Sequence, residues 1–166
     1  MKTIYIVRHA KSSWNYTGVE DIDRPLKNRG ITDAHLISKK LCKKIAKPDI
    51  FLSSSANRAL HTAMIFAENF NFPLSNFVIK KSLYSFSDGY LVKTIMALDD
   101  ALDTAIIFSH DHGINTFVNK YGDQDIPHVP TAGIIGIEFN TAHWKSIKQK
   151  KGKTVLVEFP KFYRGL

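Results

Sequence analysis

The sequence predicts an α/β domain of the three-layer α/β/α sandwich type, with a mainly parallel central sheet covered by helices on both faces. Short apolar runs of strand length alternate along the chain with segments in which apolar residues recur every three or four positions. Two of these runs, Thr3-Val7 and the "TAIIFS" of residues 104–109, are continuously apolar, which is typical of strands buried on both faces. No repeat, low-complexity tract or linker interrupts the 166 residues, so we expect one domain spanning residues 1–166.

The first half of the chain alternates strands and helices. The predicted elements are a strand at Thr3-Val7, a polar loop over residues 10–30, a helix capped by Thr32 and ended by Pro48, a strand at Asp49-Ser53, a helix starting near Ala56 and a strand from Val78 to Tyr84. The two helices are indicated by apolar stripes with helical spacing: Ala34, Ile37, Leu41 and Ile45 in the first, and Ala59, Ala63, Phe66 and Phe70 in the second.

The second half continues the alternation and then changes to strands alone. Its predicted elements are a helix carrying Leu91, Ile95, Leu98 and Leu102, the strand at 104–109, a short helix from Ile114 closed by Gly122, and the strands 132–139 and 154–159 of a terminal hairpin. In parallel sheets the ligand crevice lies beyond the carboxyl ends of the strands. We therefore expect the residues that follow Thr3-Val7, Asp49-Ser53 and 104–109 to converge on one site.

The charge and cysteine content narrow the class of protein. The net charge is +8, which suits anionic partners, but no aromatic-interleaved motif accompanies the lysine clusters of 39–47 and 145–153, so no nucleic-acid partner is expected. The single cysteine, Cys42, excludes an internal disulfide and a cysteine-based zinc cluster. The N-terminal apolar run is too short for a secretory signal and no stretch approaches the length of a membrane span, so we expect a cytoplasmic protein without a membrane partner.

Four basic or titratable side chains follow the ends of the predicted parallel strands. Arg8 and His9 come directly after the first strand, Arg58 lies just inside the helix after the second, and His110 follows the third. Two guanidinium groups can bind phosphate oxygens bidentately, and a neutral imidazole can attack phosphorus and carry the phosphoryl group covalently. With this much fixed positive charge, the chemistry requires no metal ion and no cofactor.

Each residue of this set also has an ordinary structural interpretation. Arg8 and His9 are compatible with polar residues that simply close a strand, and Arg58 with a surface position on its helix. His110 and His112 are spaced like a metal pair, although no other histidine provides a matching ligand spacing. The joint placement of the four residues at strand ends is what favours a functional site.

The segment "VRHAKSSWN" resembles the N-terminal motif of the histidine phosphatase superfamily, whose fold is phosphoglycerate-mutase-like. Its Ala10 and the following "KSSW" are similar to the small phosphohistidine phosphatase branch, and the resemblance continues in order through "DIDRPLKNRG", "LSSSANRALHTA", "FSHDHGI" and "VPTAGIIGIEF". The resemblance implies that His9 is the phosphoryl-accepting nucleophile, with Arg8, Arg58 and His110 binding the phosphate. It further implies substrate contacts from Asn15, Ser12 and Arg24, although a turn role before Pro25 explains Arg24 equally well.

Two departures from the family pattern bear on the reaction. Ser85 stands where relatives often carry a glutamate that donates a proton to the leaving group, and the nearest carboxylate, Asp88, is the candidate replacement. His112 stands where the branch commonly has proline. A missing acid impairs hydrolysis of alkyl phosphate esters more than hydrolysis of a phosphoramidate, whose nitrogen leaving group can depart protonated.

The sequence thus predicts a phosphatase that acts through a phosphohistidine on His9. Its expected substrate is phosphohistidine, or another phosphorylated group, on a protein. A catalytically weak phosphate- or phosphoprotein-binding module and a small-molecule phosphomonoesterase of the same fold are the alternatives. The sequence leaves the oligomeric state open.

Overall fold

A computed structural model describes residues 1–164 and contains one six-stranded sheet flanked by four α-helices. The strands are β1 (Lys2–Arg8), β2 (Ile50–Ser53), β3 (Phe77–Ile79), β4 (Thr104–Ser109), β5 (Ile134–Phe139) and β6 (Lys153–Glu158). The helices are α1 (Asn28–Leu41), α2 (Asn57–Phe70), α3 (Asp88–Met96) and α4 (Gly113–Tyr121). Short 3-10 turns at Asp21–Asp23, Leu74–Asn76, Lys81–Leu83, Trp144–Gln149 and Pro160–Tyr163 connect them.

The sheet has the strand order β3-β2-β4-β1-β5-β6 and is mainly parallel, as predicted. β3, β2, β4 and β1 pair in parallel, whereas β5 pairs antiparallel with both β1 and β6. The central strands β1 and β4 pair in register from Thr3 opposite Thr104 to Arg8 opposite Ser109. Their carboxyl ends therefore deliver His9 and His110 to the same edge of the sheet.

Successive residues of the central strands alternate between two apolar cores, one on each face of the sheet. Ile4 and Ile6 belong to the core covered by α3 and α4, while Tyr5 and Val7 belong to the core covered by α1 and α2. Burial on both faces explains why the central residues of β1 (4–7) and β4 (105–108) are all apolar. The predicted three-layer arrangement is confirmed.

The first helix is shifted toward the N-terminus relative to the prediction. It begins at Asn28, with Lys27 as its extended N-cap residue, and the Thr32 hydroxyl donates 3.0 Å to the Asn28 carbonyl within the first turns instead of capping the helix. Gly30 permits this start, because a Cβ atom there would lie 2.2 Å from the Lys11 carbonyl oxygen. The helix ends at Leu41, well before Pro48.

Three further features of the secondary structure differ from the prediction made from the sequence. β3 stops at Ile79 instead of Tyr84, because the chain turns and the Leu83 amide donates to the Lys80 carbonyl. α3 ends at Met96, so Leu98 packs against the core from outside the helix. β5 and β6 pair as predicted, but a connection containing the Trp144–Gln149 turn joins them in place of a tight hairpin.

Helix α4 is closed by Gly122, as predicted, but the reason for a glycine at this position is different from the predicted one. Gly122 caps the helix with a φ of −88°, which any residue adopts. The glycine is needed for space, because a Cβ atom there would lie 2.5 Å from the Thr154 hydroxyl oxygen. Within residues 1–164, no helix combines the length and apolar character needed to cross a membrane.

Candidate active site

The backbone around His9 is fixed to three neighbouring elements. The His9 amide donates to the Ser109 carbonyl at 3.1 Å, which ties the end of β1 to the end of β4. The Ala10 amide donates to the Thr62 hydroxyl at 2.9 Å, and that hydroxyl donates to the Arg58 carbonyl at 2.7 Å. These bonds join His9 and Arg58 through a rigid frame, as a site needs if it is to hold a reacting group.

One hydrogen bond sets the orientation and tautomer of the His9 ring. Nδ1 lies 2.8 Å from the Ala10 carbonyl oxygen, and because a carbonyl only accepts, Nδ1 carries the proton. Nε2 then bears the free lone pair. It has no hydrogen-bond partner within residues 1–164, and it is not among the buried unpartnered atoms, so it remains open to a ligand.

His9 is held as a neutral imidazole. Its pKa is lowered to about 4, mainly by burial and further by the positive charges of Arg58, Arg8 and Arg24, against a raising effect of the bond to Ala10. A neutral imidazole with a free Nε2 is the form that acts as a nucleophile.

His110 lies beside His9, with 5.3 Å between the ring centroids. Its pKa is lowered to about 3, mainly by burial, and the nearby His9 and Arg58 contribute because two cations beside each other disfavour protonation of His110. Its Nε2 lies 2.8 Å from the Ser54 hydroxyl oxygen in the loop before α2, while its Nδ1 has no partner. Ser54 therefore orients a second neutral imidazole next to the first.

The Arg58 guanidinium is anchored to Asp21 by two bonds. One donor nitrogen lies 2.7 Å from the Asp21 carbonyl oxygen and the other lies 3.1 Å from its carboxylate. The Tyr84 hydroxyl donates to the same carboxylate at 2.5 Å. Partial burial opposes ionisation of Asp21, but the bond from Tyr84 and the charge of Arg58 hold its pKa at about 2.

Arg24 belongs to the same network. Its Nε lies 3.0 Å from the Asp21 carboxylate, and its Nη1 donates to the Ser12 hydroxyl at 2.9 Å. The guanidinium carbon lies 3.4 Å from the ring centroid of Trp14, which is 74% exposed. Arg24 is thus buried beneath the exposed ring of Trp14, and Ser12 is in direct contact with Arg24.

The Arg8 guanidinium is held by residues of the connection between α4 and β5 and by the residue that follows His110. Its Nη1 donates to the Val129 carbonyl at 3.0 Å, lies 3.3 Å from His128 Nε2 and lies 3.8 Å from the Asp111 carboxylate. Its guanidinium is thereby held on the β4–α4 and β5 side of His9, while Arg58 is held on the α2 side.

Three buried nitrogen atoms of these residues have no hydrogen-bond partner in the described part of the chain: Nε of Arg8, Nε of Arg58 and Nδ1 of His110. An unpartnered buried polar atom costs about 1–3 kcal/mol, so such atoms in native proteins call for an explanation. The two guanidinium atoms are cationic donors, and the group that suits them carries acceptor oxygens and negative charge. A phosphoryl group offers both.

Two of the sequence-predicted residues make no side-chain hydrogen bond or ion pair to this cluster within residues 1–164. Asn15 is exposed, and its backbone amide donates to the Ser13 hydroxyl. Asp88 begins α3, where its carboxylate lies 3.6 Å from Lys120 in a cavity between α3, α4 and the Trp144–Gln149 turn. Asp88 thus has an ion-pair partner outside the cluster, and its role as a proton donor stays a prediction.

A metal ion bound by His110 and His112 would need further ligands close to these two side chains. In the part of the chain that the structure describes, no group of three or more His, Cys, Asp or Glu side chains is arranged to hold a metal ion. His112 instead adopts a left-handed φ of 61° as the N-cap residue of α4.

Asp21 and Tyr84 are site residues that the sequence reasoning missed. Asp21 stands three positions before Arg24, a spacing that brings the two side chains together in the Asp21–Asp23 turn, so this pair was available as a signal. Tyr84 was assigned to a strand, and its contact with Asp21 spans 63 positions of the chain, for which the sequence carries no local signal.

The two buried neutral histidines predict a loss of stability in acid. The unfolded chain takes up protons near pH 6.5, but folded His9 resists protonation until about pH 4 and His110 until about pH 3. The unfolded state therefore binds more protons in that window, and the free energy of unfolding falls by about 1.4 kcal/mol per pH unit for each histidine as the pH is lowered.

Urea unfolding at pH 7.5, 6 and 5 measures this slope. We expect His9→Asn and His110→Asn each to reduce this slope by about 1.4 kcal/mol per pH unit. His61→Asn, at an exposed position on α2, is expected to leave the slope unchanged. An NMR titration midpoint of the His9 ring near pH 6.5 contradicts the prediction.

Comparison with known proteins extends these observations. Residues 4–81 match the model of the family described as histidine phosphatase superfamily (branch 1). The structure of the protein histidine phosphatase SixA complexed with tungstate superposes with a TM-score of 0.83 and 19% identity, covering 98% of this chain and 99% of that one. A SixA chain from Agrobacterium tumefaciens gives a TM-score of 0.82 and 20% identity over 96% and 98% of the two chains. These likenesses concern the fold.

Among curated proteins, the uncharacterised protein Rv1276c of Mycobacterium tuberculosis (strain H37Rv) is 30% identical over 105 residues, which is 63% of each chain. The chain spans between 34% and 63% of the length of the curated relatives it matches.

Proposed function

We propose that this chain, in which residues 4–81 match the model of the histidine phosphatase superfamily, is a metal-independent phosphatase that works through a covalent phosphohistidine on His9. The observation that carries the proposal is the state of His9. Its ring is neutral, its Nδ1 is fixed on the Ala10 carbonyl, and its Nε2 is free among cationic side chains. Simple binding of an anion requires positive charge but does not require this nucleophile.

In the first step, the Nε2 lone pair of His9 forms a bond to phosphorus as the bond from phosphorus to the leaving group breaks. The electron pair of that bond departs with the leaving group. Arg8 and Arg58 stabilise the charge on the equatorial oxygens, which is the main catalytic requirement of phosphoryl transfer. In the second step, water attacks phosphorus, the bond to Nε2 breaks and His9 returns as neutral imidazole with inorganic phosphate released.

We propose phosphohistidine on a protein as the substrate. Asp21 has a pKa of about 2 and is therefore not suited to protonate a departing alkoxide near neutral pH, and Asp88 has its ion-pair partner, Lys120, outside the cluster. A phosphohistidine ring protonated on its remote nitrogen leaves as neutral imidazole when the P–N bond breaks and needs no acid. The exposed surroundings of the cluster, among them Trp14 and Phe86, are compatible with a side chain presented on a protein surface.

Phosphatase activity in EDTA, measured with a phosphohistidine peptide and with p-nitrophenyl phosphate, tests this function. We expect full activity in EDTA and a higher kcat/KM for the phosphohistidine peptide. Loss of activity in EDTA contradicts the metal-independent mechanism. Preference for p-nitrophenyl phosphate over the phosphohistidine peptide points to the alternative of a small-molecule phosphomonoesterase, and phosphate binding without turnover points to a binding module.

A further inference from the structure

Tyr84 and Phe86 form a wall of aromatic rings beside the candidate site, which we call the aromatic wall. Their ring centroids lie 5.3 Å and 5.6 Å from that of His110 and 6.0 Å from each other. His110 in turn lies 5.3 Å from His9. The aromatic wall is therefore in contact with His110, which is itself the neighbour of the proposed nucleophile, His9.

The segment that carries the aromatic wall is held at both ends. The Ser109 hydroxyl donates to the Leu83 carbonyl at 2.8 Å, and the Tyr84 hydroxyl is bound to Asp21. At the other end Gly113 packs so closely that a Cβ atom there would lie 2.8 Å from the Ser87 carbonyl oxygen. Phe86 is thus fixed in place between two anchored positions.

Phe86 is nevertheless 53% exposed. One part of its ring faces Tyr84 and His110, and the remainder is in contact with solvent at the edge of a strongly charged cluster. A rigidly anchored aromatic surface next to a charged centre is the arrangement by which proteins bind a ligand that is polar at one end and planar and apolar at the other.

The chemistry of this segment restricts the leaving group that suits it. Residues 85–87 are Ser-Phe-Ser, so they contribute no ionised side chain. A leaving group that lies next to residues 85–87 contacts the aromatic ring of Phe86. These three residues offer it no carboxyl group. A ring that departs as a neutral imidazole or as a phenolate is compatible with these surroundings, whereas an alkoxide is not.

We propose that Phe86 is a specificity-determining residue whose ring stacks on the leaving group, so that the site prefers phosphoryl groups carried by planar aromatic rings over those carried by alkyl groups or ammonia. The inference rests on the proposed function, because it concerns the same phosphoryl site. In the step concerned, the bond from phosphorus to the ring nitrogen breaks, its electron pair stays on that nitrogen, and the proton on the remote nitrogen makes the product neutral imidazole.

Binding of non-hydrolysable phosphonates tests the inference without turnover. The ratio of the Kd of methylphosphonate to that of phenylphosphonate reports the contribution of the aromatic ring. We expect Phe86→Ala to lower this ratio about fivefold, since an aromatic pair contributes of the order of a factor of three to ten in affinity. Phe86→Tyr retains the ratio, and so does Phe162→Ala, which removes a ring 49% exposed that packs against Phe159. An unchanged ratio in Phe86→Ala overturns the inference.

Turnover of two P–N substrates gives the kinetic test. We expect Phe86→Ala to lower kcat/KM for phosphoimidazole about fivefold more than kcat/KM for phosphoramidate, because only the first has a ring to stack. Equal losses for the two substrates overturn the inference by showing a general disturbance of the site. If the wild-type protein turns over neither substrate, the proposed function fails, and the phosphonate ratio still decides the role of Phe86.

Discussion

His9→Ala is expected to lower kcat/KM toward a phosphohistidine peptide by at least about 10⁴-fold, the size of loss seen when a covalent nucleophile is removed. Alanine abolishes the Nε2 lone pair, so the phosphoryl group has no acceptor in the first step. The bound phosphate still meets Arg8, Arg58 and His110, and we therefore expect phosphate affinity to change far less than turnover. Initial rates and the Kd of inorganic phosphate on the same two proteins measure both effects.

Covalent labelling separates loss of the nucleophile from loss of the fold. Incubation of the wild-type protein with a small phosphodonor is expected to give an acid-labile phosphoryl group on His9, and His9→Ala is expected to give none. His61→Ala serves as the matched control, because His61 lies exposed on α2 one turn after Arg58. Labelling that persists in His9→Ala and disappears in His61→Ala contradicts the assignment of the nucleophile.

The sheet and the convergence of its strand ends were predictable because they depend on local patterns. The central residues of β1 and β4 are all apolar as a result of burial on both faces, and this composition marks them in the sequence. The rule that ligands bind beyond the carboxyl ends of parallel strands then placed His9 and His110 together, and the structure brings their rings to 5.3 Å.

Helix boundaries were less predictable because tertiary contacts decide them. The apolar stripe of α1 extends to Ile45, and Ile45 does pack on the core, but it does so from a turn after the helix has ended at Leu41. The start of α1 depends on the close approach of Gly30 to Lys11, a contact between two segments that no periodicity records.

The support of Arg58 was the least predictable part of the site. The sequence indicates that an arginine follows β2, but not what holds its guanidinium. In the structure Asp21 binds Arg58 with both its carbonyl and its carboxylate, and Arg24 and Tyr84 bind the same carboxylate. Residues from three distant segments meet at one group, so only the folded chain reveals that Arg58 is positioned before any ligand arrives.

This prior positioning leads us to expect a large effect from replacing Arg58. Arg58→Met preserves much of the buried side-chain volume but removes the guanidinium, and we expect it to lower kcat/KM about 10²- to 10³-fold, as when one preorganised donor to a developing charge is lost. Arg58→Lys is expected to recover little of this loss, because an ammonium group cannot reproduce two parallel bonds to Asp21 or to phosphate oxygens. Steady-state kinetics with the phosphohistidine peptide measure both variants.

The control for Arg58 is an arginine outside the site. Arg29 lies exposed in the first turn of α1, and we expect Arg29→Met to leave kcat/KM within about twofold of the wild-type value. Thermal unfolding of each variant distinguishes a folding defect from a lost phosphate contact, because Arg58 is buried and its removal also leaves Asp21 with fewer partners. An Arg58→Met protein that is folded and keeps more than a tenth of the wild-type kcat/KM contradicts the proposed role, since the remaining cations, Arg8 and Arg24, would then suffice to stabilise the transferring phosphoryl group.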